Sequence, residues 1–262
     1  MLEKKSKKLY IDAHFHYFDG VLKQSLNYQQ MNFMGCSSAL SKEQWEIQQN
    51  AESYIIKALG IHPCGIDKNH FKDDIDFIEK QLQKNLFPIG ECGIDYYDGP
   101  DESEKDLQNY VFSSLIDLAV KYQVPLIIHS RKANQQLLEY SDRLKLLPGV
   151  LFHSFMGNSL EAQCFLNKRI NACFSFNKQI LNGNKKVLDC CTNLPLSSLL
   201  CETDGPYQFL KDEEKTYSTD IIKVYEKMFS LRKDVSEYED FVDKINLNYF
   251  SLFKTVFNLK FF

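Results

Sequence analysis

"IDAHFH", residues 11–16, places two histidines one residue apart at the end of an apolar run. In an extended chain successive side chains point to opposite faces, so His14 and His16 share a face while Phe15 looks away. The run at 9–13 therefore reads as a strand that delivers two imidazoles to one point at its C-terminal end.

Working outward, seven more short apolar runs follow at 31–36, 55–60, 87–92, 124–129, 150–153, 170–175 and 198–203. Between them apolar residues recur at helical spacing, as in Phe71, Ile75, Ile78 and Leu82, or Leu107, Val111, Leu115, Leu118 and Tyr122. Strand-helix alternation implies parallel strands. Eight of them in about 250 residues is the rhythm of an α/β fold of the closed (β/α)8 TIM-barrel type, with a doubly wound open sheet as the alternative. Segments 218–230 and 237–257, with Phe241, Ile245, Leu252 and Val256 on one face, are expected as additional C-terminal helices that cover the barrel. No repeat or linker divides the chain, so one domain is expected over residues 1–262.

Composition narrows the function. With 44% hydrophobic and 25% charged residues the chain has an ordinary globular profile. A net charge of −4 provides no broad basic face for wrapping duplex nucleic acid. The opening "MLEKKSKKLY" lacks the apolar core of a signal peptide, and no stretch is long and apolar enough to span a bilayer. A cytoplasmic protein without membrane partners is the expectation, with the lysines at 4–8 as a solvated arm. The eight cysteines avoid the paired spacings of zinc ribbons and redox motifs, and are read as reduced and structural.

Polar residues cluster at strand ends. Of six histidines, His14, His16, His129 and His153 sit at or just past a strand, and His62 follows the third one. Glu91 and Asp204 occupy equivalent places. Barrel enzymes assemble their sites from the C-terminal ends of strands, so these groups are expected to meet across the mouth. Singly, each could be a hydrogen-bonded structural residue or a turn starter. Together, four histidines and two carboxylates in one place would each need a separate buried partner unless a metal were bound.

The strings "IDAHFH", "GIHP", "IGECGIDYY", "IIHSRKA", "FHSFMG" and "CETDGPY" run in order from residue 11 to 207. They resemble the successive motifs of the TatD-type metal-dependent deoxyribonucleases of the amidohydrolase superfamily, and "NYFSLF" near 248 resembles the closing helix of that family. The resemblance implies a barrel with metal ligands His14, His16, Glu91, His129, His153 and Asp204. It also implies magnesium-supported activity. Departures are Ser154 and Met156 in place of Cys and Ser, Gly205 in place of Ser or Ala, and "QFLKDEEKTYSTD" at 208–220. That last segment lacks the Arg/Lys-rich, Asn-x-Pro pattern that would contact a phosphate chain.

Six ligands exceed the needs of one tetrahedral ion, so two divalent ions are expected: zinc or manganese by ligand chemistry, magnesium by resemblance. The expected partition gives His14, His16 and Asp204 to one ion, His129 and His153 to the other, and Glu91 to both. Such an ion lowers the pKa of a held water from about 15.7 toward about 7 on zinc. Asp204 is the candidate proton acceptor, with Glu91 beside it as the second catalytic carboxylate. Arg131, one of only four arginines against 27 lysines, suits a phosphate oxygen pair; its alternative is an ordinary loop ion pair. His62 is a second substrate-contact candidate. Asp95 is expected to orient a neighbour, and His70 to start a helix at the surface. The function expected is metal-dependent hydrolysis of DNA ends or short single strands. Hydrolysis of a small amide, ester or lactone is the alternative enzyme reading, and a barrel kept for binding after loss of activity is the alternative from another class.

Overall fold

In the computed structural model, which describes residues 8–17 and 32–257, eight strands form one sheet in sequential order. They are β1 (Leu9–Phe15), β2 (Asn32–Ala39), β3 (Ile55–Leu59), β4 (Ile89–Asp95), β5 (Leu126–Arg131), β6 (Val150–Phe152), β7 (Ala172–Phe176) and β8 (Leu199–Cys201). Every neighbouring pair is parallel. Past the ends of the outer strands, Asp204 N donates to His14 O at 3.0 Å and His16 N to Gly205 O at 2.8 Å. These bonds bring the last strand back to the first, and the sheet becomes a barrel.

All eight expected strands are present, with ends displaced by up to three residues. The fifth runs on to Arg131, and the first runs through His14 to Phe15. Residue 31 of the second expected strand and the lysines at 4, 5 and 7 lie outside the described residues.

Nine helices occur among the described residues: α1 (Lys42–Gln48), α2 (Phe71–Leu82), α3 (Glu102–Tyr122), α4 (Asn134–Leu138), α5 (Ser141–Leu144), α6 (Ser159–Asn167), α7 (Lys185–Asn193), α8 (Ile221–Ser230) and α9 (Tyr238–Leu252). Local chemistry fixes their ends. The Asp101 carboxylate accepts from Glu104 N, and the Glu104 carboxylate accepts from Asp101 N, which satisfies two orphan amides at the start of α3. At the other end, Gln123 enters the left-handed region and turns the chain toward β5. Helix α2 buries Ile78 and Leu82, its expected inner face. The two expected C-terminal helices are α8 and α9, of which α9 buries Phe241, Ile245 and Leu252 against β1 and β8. The segment 218–220 is a separate 3-10 turn ahead of α8.

The core lies between sheet and helices and inside the barrel. Phe152 stacks on Phe174 with ring centroids 5.2 Å apart and meets Phe165 of α6 at 4.4 Å. All eight cysteines are free. Six are buried in strands or on the inner face of α7, while Cys64, in a turn, and Cys164, on the outer face of α6, are exposed.

Candidate metal centre

The fold carries the chemistry to one end because side chains at the C-terminal ends of parallel strands face a common mouth. That end opens into a cleft of about 570 Å³ whose wall includes His16, Glu91, His129, His153 and Asp204. His14 lies beneath, fully buried.

Glu91 is the hub. Its Oε1 lies 2.8 Å from His14 Nε2 and 3.1 Å from His16 Nε2, and its Oε2 lies 3.1 Å from His153 Nε2. The same Oε2 is 3.6 Å from His62 Nε2 and 3.7 Å from His129 Nδ1. Asp204 Oδ1 is 3.6 Å from the Nε2 atoms of both His14 and His16. Asp204 holds a left-handed backbone, φ 55°, which Asp tolerates better than most side chains and which aims its carboxylate into the mouth.

Neighbours fix the imidazoles. Ser38 Oγ lies 3.3 Å from His14 Nδ1, and the Ser38 carbonyl 3.1 Å from His16 Nδ1. Asp95 Oδ2 lies 2.8 Å from His129 Nε2, which leaves Nδ1 turned toward Glu91. Behind His153, the Glu202 carboxylate accepts from Ser154 N at 2.6 Å and Ser175 Oγ at 2.5 Å, and stands 3.9 Å from His153 Nδ1.

Burial opposes the charged form of His16, but the hydrogen bonds it donates to Asp204 and Glu91 overcome it and raise the ring to about 10. His153, also buried, is raised to about 9 by Glu91. In His14, burial and the neighbouring His153 charge prevail over the pull of Glu91, and the pKa falls to about 4. Two buried carboxylates thus draw protons onto adjacent rings, as they would draw a cation. Histidine and carboxylate donors of this kind suit zinc or manganese, and a carboxylate between two sets suits a shared ligand. The residues present fit divalent metal.

The ligand-capable atoms fall into two groups, each within 4.8 Å: His14, Glu91, His153 and Asp204, and His62, Glu91 and His129. The expected pair His129 and His153 is close, Nδ1 to Nε2 at 3.3 Å with Glu91 Oε2 beside both, while these groups add His153 to His14 and Asp204, add His62 to His129, and leave out His16, whose Nε2 lies 3.1 Å from Glu91 Oε1. His153 stands with His14, its ring centroid 4.3 Å away, and His62 stands beside His129, also at 4.3 Å. His153 follows β6 and reaches across the mouth to Glu91, so its Nε2 stands between the two groups, a placement that sequence order does not encode.

Arg131 ends β5 at the rim, with Nη1 3.8 Å from Asp95 Oδ2 and its guanidinium 3.9 Å from the centre of the Tyr97 ring. His70 caps α2 at the surface and pairs with Asp67, as expected. Sequence reading missed Asp12, Ser38 and Glu202, all fully buried around the site. Glu202 carried a signal: it stands two residues before Asp204, in an otherwise apolar run where a carboxylate requires a partner.

Comparison with known proteins finds relatives in sequence and in fold. The sequence model of the TatD-related DNase family matches residues 11–254. An uncharacterised metal-dependent hydrolase of Buchnera aphidicola is 29% identical over 221 residues, 75% of this chain and 81% of that one. A 3'-5' ssDNA/RNA exonuclease TatD of a Rahnella strain is 25% identical over 185 residues, 70% of each chain. The crystal structure of YjjV, a TatD homologue from Escherichia coli, superposes with a TM-score of 0.80 at 21% identity, covering 94% of this chain and 98% of that one.

Proposed function

The chain belongs to the TatD-related DNase family and is a metal-dependent hydrolase, and from that premise we propose that it is a phosphodiesterase acting on DNA ends or short single strands. The observation that carries this reading is Glu91, whose two oxygens face separate groups of histidines around a cleft that ends at an arginine. His14, His16, Glu91 and Asp204 would hold one divalent ion, joined by His153. Glu91, His129 and His62 would hold a second. When bound, such ions supply a Lewis acid for phosphoryl oxygens and a water acidic enough to act near neutral pH.

The remaining work falls to the chain itself. Burial opposes ionisation of Asp204, but the His16 hydrogen bond and the charge on His153 hold its carboxyl below the ordinary value. It is therefore ionised at neutral pH and able to accept the proton of the attacking water. Asp95 fixes the orientation of the His129 ring, and so which nitrogen faces the cleft. Arg131 presents guanidinium edges at the rim, where a phosphate can accept two hydrogen bonds.

The test is hydrolysis by metal-loaded protein of a fluorescein-labelled single-stranded oligothymidylate, a nitrophenyl phosphodiester and a panel of small amides, esters and lactones. Cleavage of the first two, abolished by chelation and reduced at least 100-fold in a folded Asp204→Asn variant, is expected. Turnover confined to an amide or lactone, or unchanged in Asp204→Asn, overturns the assignment.

A further inference from the structure

The two walls of the cleft differ in charge. From the segment after β8, residues 206–220, only the uncharged Tyr207 and Gln208 line it, and the Glu213 and Asp220 carboxylates are turned to the buried Lys178. In a sequentially ordered eight-stranded barrel, β4 stands four strands away from β8 and hence across the mouth. There the chain leaving β4 presents Tyr97 and the end of β5 presents Arg131 and Lys132, all exposed.

These three are built together. Arg131 lies 3.9 Å and Lys132 4.6 Å from the Tyr97 ring centre, and Lys132 Nζ also donates to the Tyr97 carbonyl at 3.4 Å. Lys132 adopts φ 54°, a left-handed conformation costly for a long side chain, and this turn sends its ammonium back over Tyr97. Tyr97 is anchored in turn, its amide donating to Asp95 Oδ1 at 2.8 Å. A cation stacked on an aromatic face keeps its donor edges available, so the arrangement fixes two charges at the rim, Arg131 also lying 3.8 Å from Asp95 Oδ2.

We infer that Tyr97, Arg131 and Lys132 form a clamp for a backbone phosphate adjacent to the scissile one, which leads the bound strand out over β4 and β5, away from the uncharged wall after β8. This rests on the phosphodiesterase reading. Arg131 and Lys132 touch the phosphate; Tyr97 is a positioning residue. The phosphate chain contact absent from 208–220 is thereby supplied by the opposite wall.

Binding of a fluorescein-labelled single-stranded oligothymidylate to the full chain in EDTA, followed by anisotropy over a salt series, tests the clamp without turnover. An abasic oligomer of equal length is run in parallel. Lys132→Gln is expected to weaken binding about 5- to 10-fold for both oligomers and to flatten the slope of log affinity against log salt by roughly 0.7, one single-strand phosphate contact. Tyr97→Leu, which removes no charge, is expected to weaken binding severalfold, and the metal-loaded form to show a raised KM with kcat within twofold. Both sites are exposed, and an unchanged thermal midpoint verifies folding. Unaltered affinity and salt slope in Lys132→Gln, or a loss seen with thymidylate but not with the abasic chain, overturns the clamp. Loss of the clamp signature in a protein that still cleaves the oligomer leaves the hydrolase reading standing; a salt-sensitive clamp in a protein that cleaves no phosphodiester does the reverse.

Discussion

Asp12 and Thr203 join the first strand to the end of the last: Thr203 N donates to Asp12 Oδ1 at 2.8 Å, and Thr203 Oγ1 to Oδ2 at 2.5 Å. Both residues are fully buried, and each lies next to or two residues from a site group, Asp204 in one case and His14 in the other. The His14 amide adds a third donor at 3.3 Å. Burial alone would raise the Asp12 carboxyl beyond the value of about 7 that these donors leave it with. A single side chain therefore closes the barrel and sets the relative height of two candidate ligands.

Asp12→Ala leaves buried donors without an acceptor, each worth about 1–3 kcal/mol. Urea denaturation is expected to show a loss of about 3 kcal/mol or more. Asp12→Asn keeps one acceptor oxygen and should cost less. Equal stability of Asp12→Ala and wild type would mean that the Thr203 bonds do not hold the barrel ends together.

Glu91 is common to both ligand groups, whereas His62 belongs to one. Elemental analysis of metal-loaded protein should therefore show Glu91→Gln losing metal from both positions and His62→Ala losing about one equivalent. Outer-shell substitutions such as Asp95→Asn should weaken affinity by about 10–100-fold, less than loss of a direct ligand. A Glu91→Gln protein that retains full stoichiometry would remove Glu91 from its shared place.

What the sequence discloses here follows from periodicity. Strands buried on both faces appear as short apolar runs, and all eight could be located from them within three residues because amphipathic helices separate them. The convergence of His14, His16, Glu91, His129, His153 and Asp204 followed from strand-end position alone. Distances between strands did not. That His153 stands close to both His14 and His129, and that His62 stands against His129, depends on barrel shear and loop path, which leave no periodic trace. Asp12, Ser38 and Lys178 were hidden for a different reason: a buried polar residue reads like a surface one until its partner, here many residues away, is known.

Gly93 shows how closely strands must approach for the site to form. A Cβ there would fall 2.0 Å from the carbonyl oxygen of His129, at a φ of 142°. Backbone cannot yield as a flexible side chain can, so Gly93→Ala is expected to cost more than about 4 kcal/mol or to prevent folding. Gly99 has a positive φ of 69° but open space around it. Its alanine variant should cost only about 1–2 kcal/mol, the left-handed penalty. Thermal midpoints of the pair separate crowding from conformation; similar values would show that crowding at Gly93 is relieved.

Lys178, fully buried after β7, pairs with Glu213 and with Asp220 Oδ2 at 2.9 Å. Those carboxylates also accept from Leu210 N and Tyr217 N, so the ammonium pins the segment that places Tyr207 and Gln208 on the cleft wall. Lys178→Met takes the buried ammonium from both carboxylates, leaving Asp220 to Lys223 and the partly exposed Glu213 to the Leu210 amide, and is expected to cost about 1–3 kcal/mol. Burial raises the Asp220 carboxyl, but bonds from Lys223, the Tyr217 amide and Lys178 outweigh it and leave the folded value depressed; Glu213 is likewise depressed, chiefly by Lys178 against its burial. A depressed folded value means that stability is present above the ordinary carboxylate range of about 4 and is lost as pH falls through the folded values. Denaturation midpoints between pH 7 and pH 3 should therefore decline more in wild type than in Lys178→Met. Parallel curves would show that the buried lysine does not depress these carboxyls, and the acid sensitivity of the segment would have to originate elsewhere.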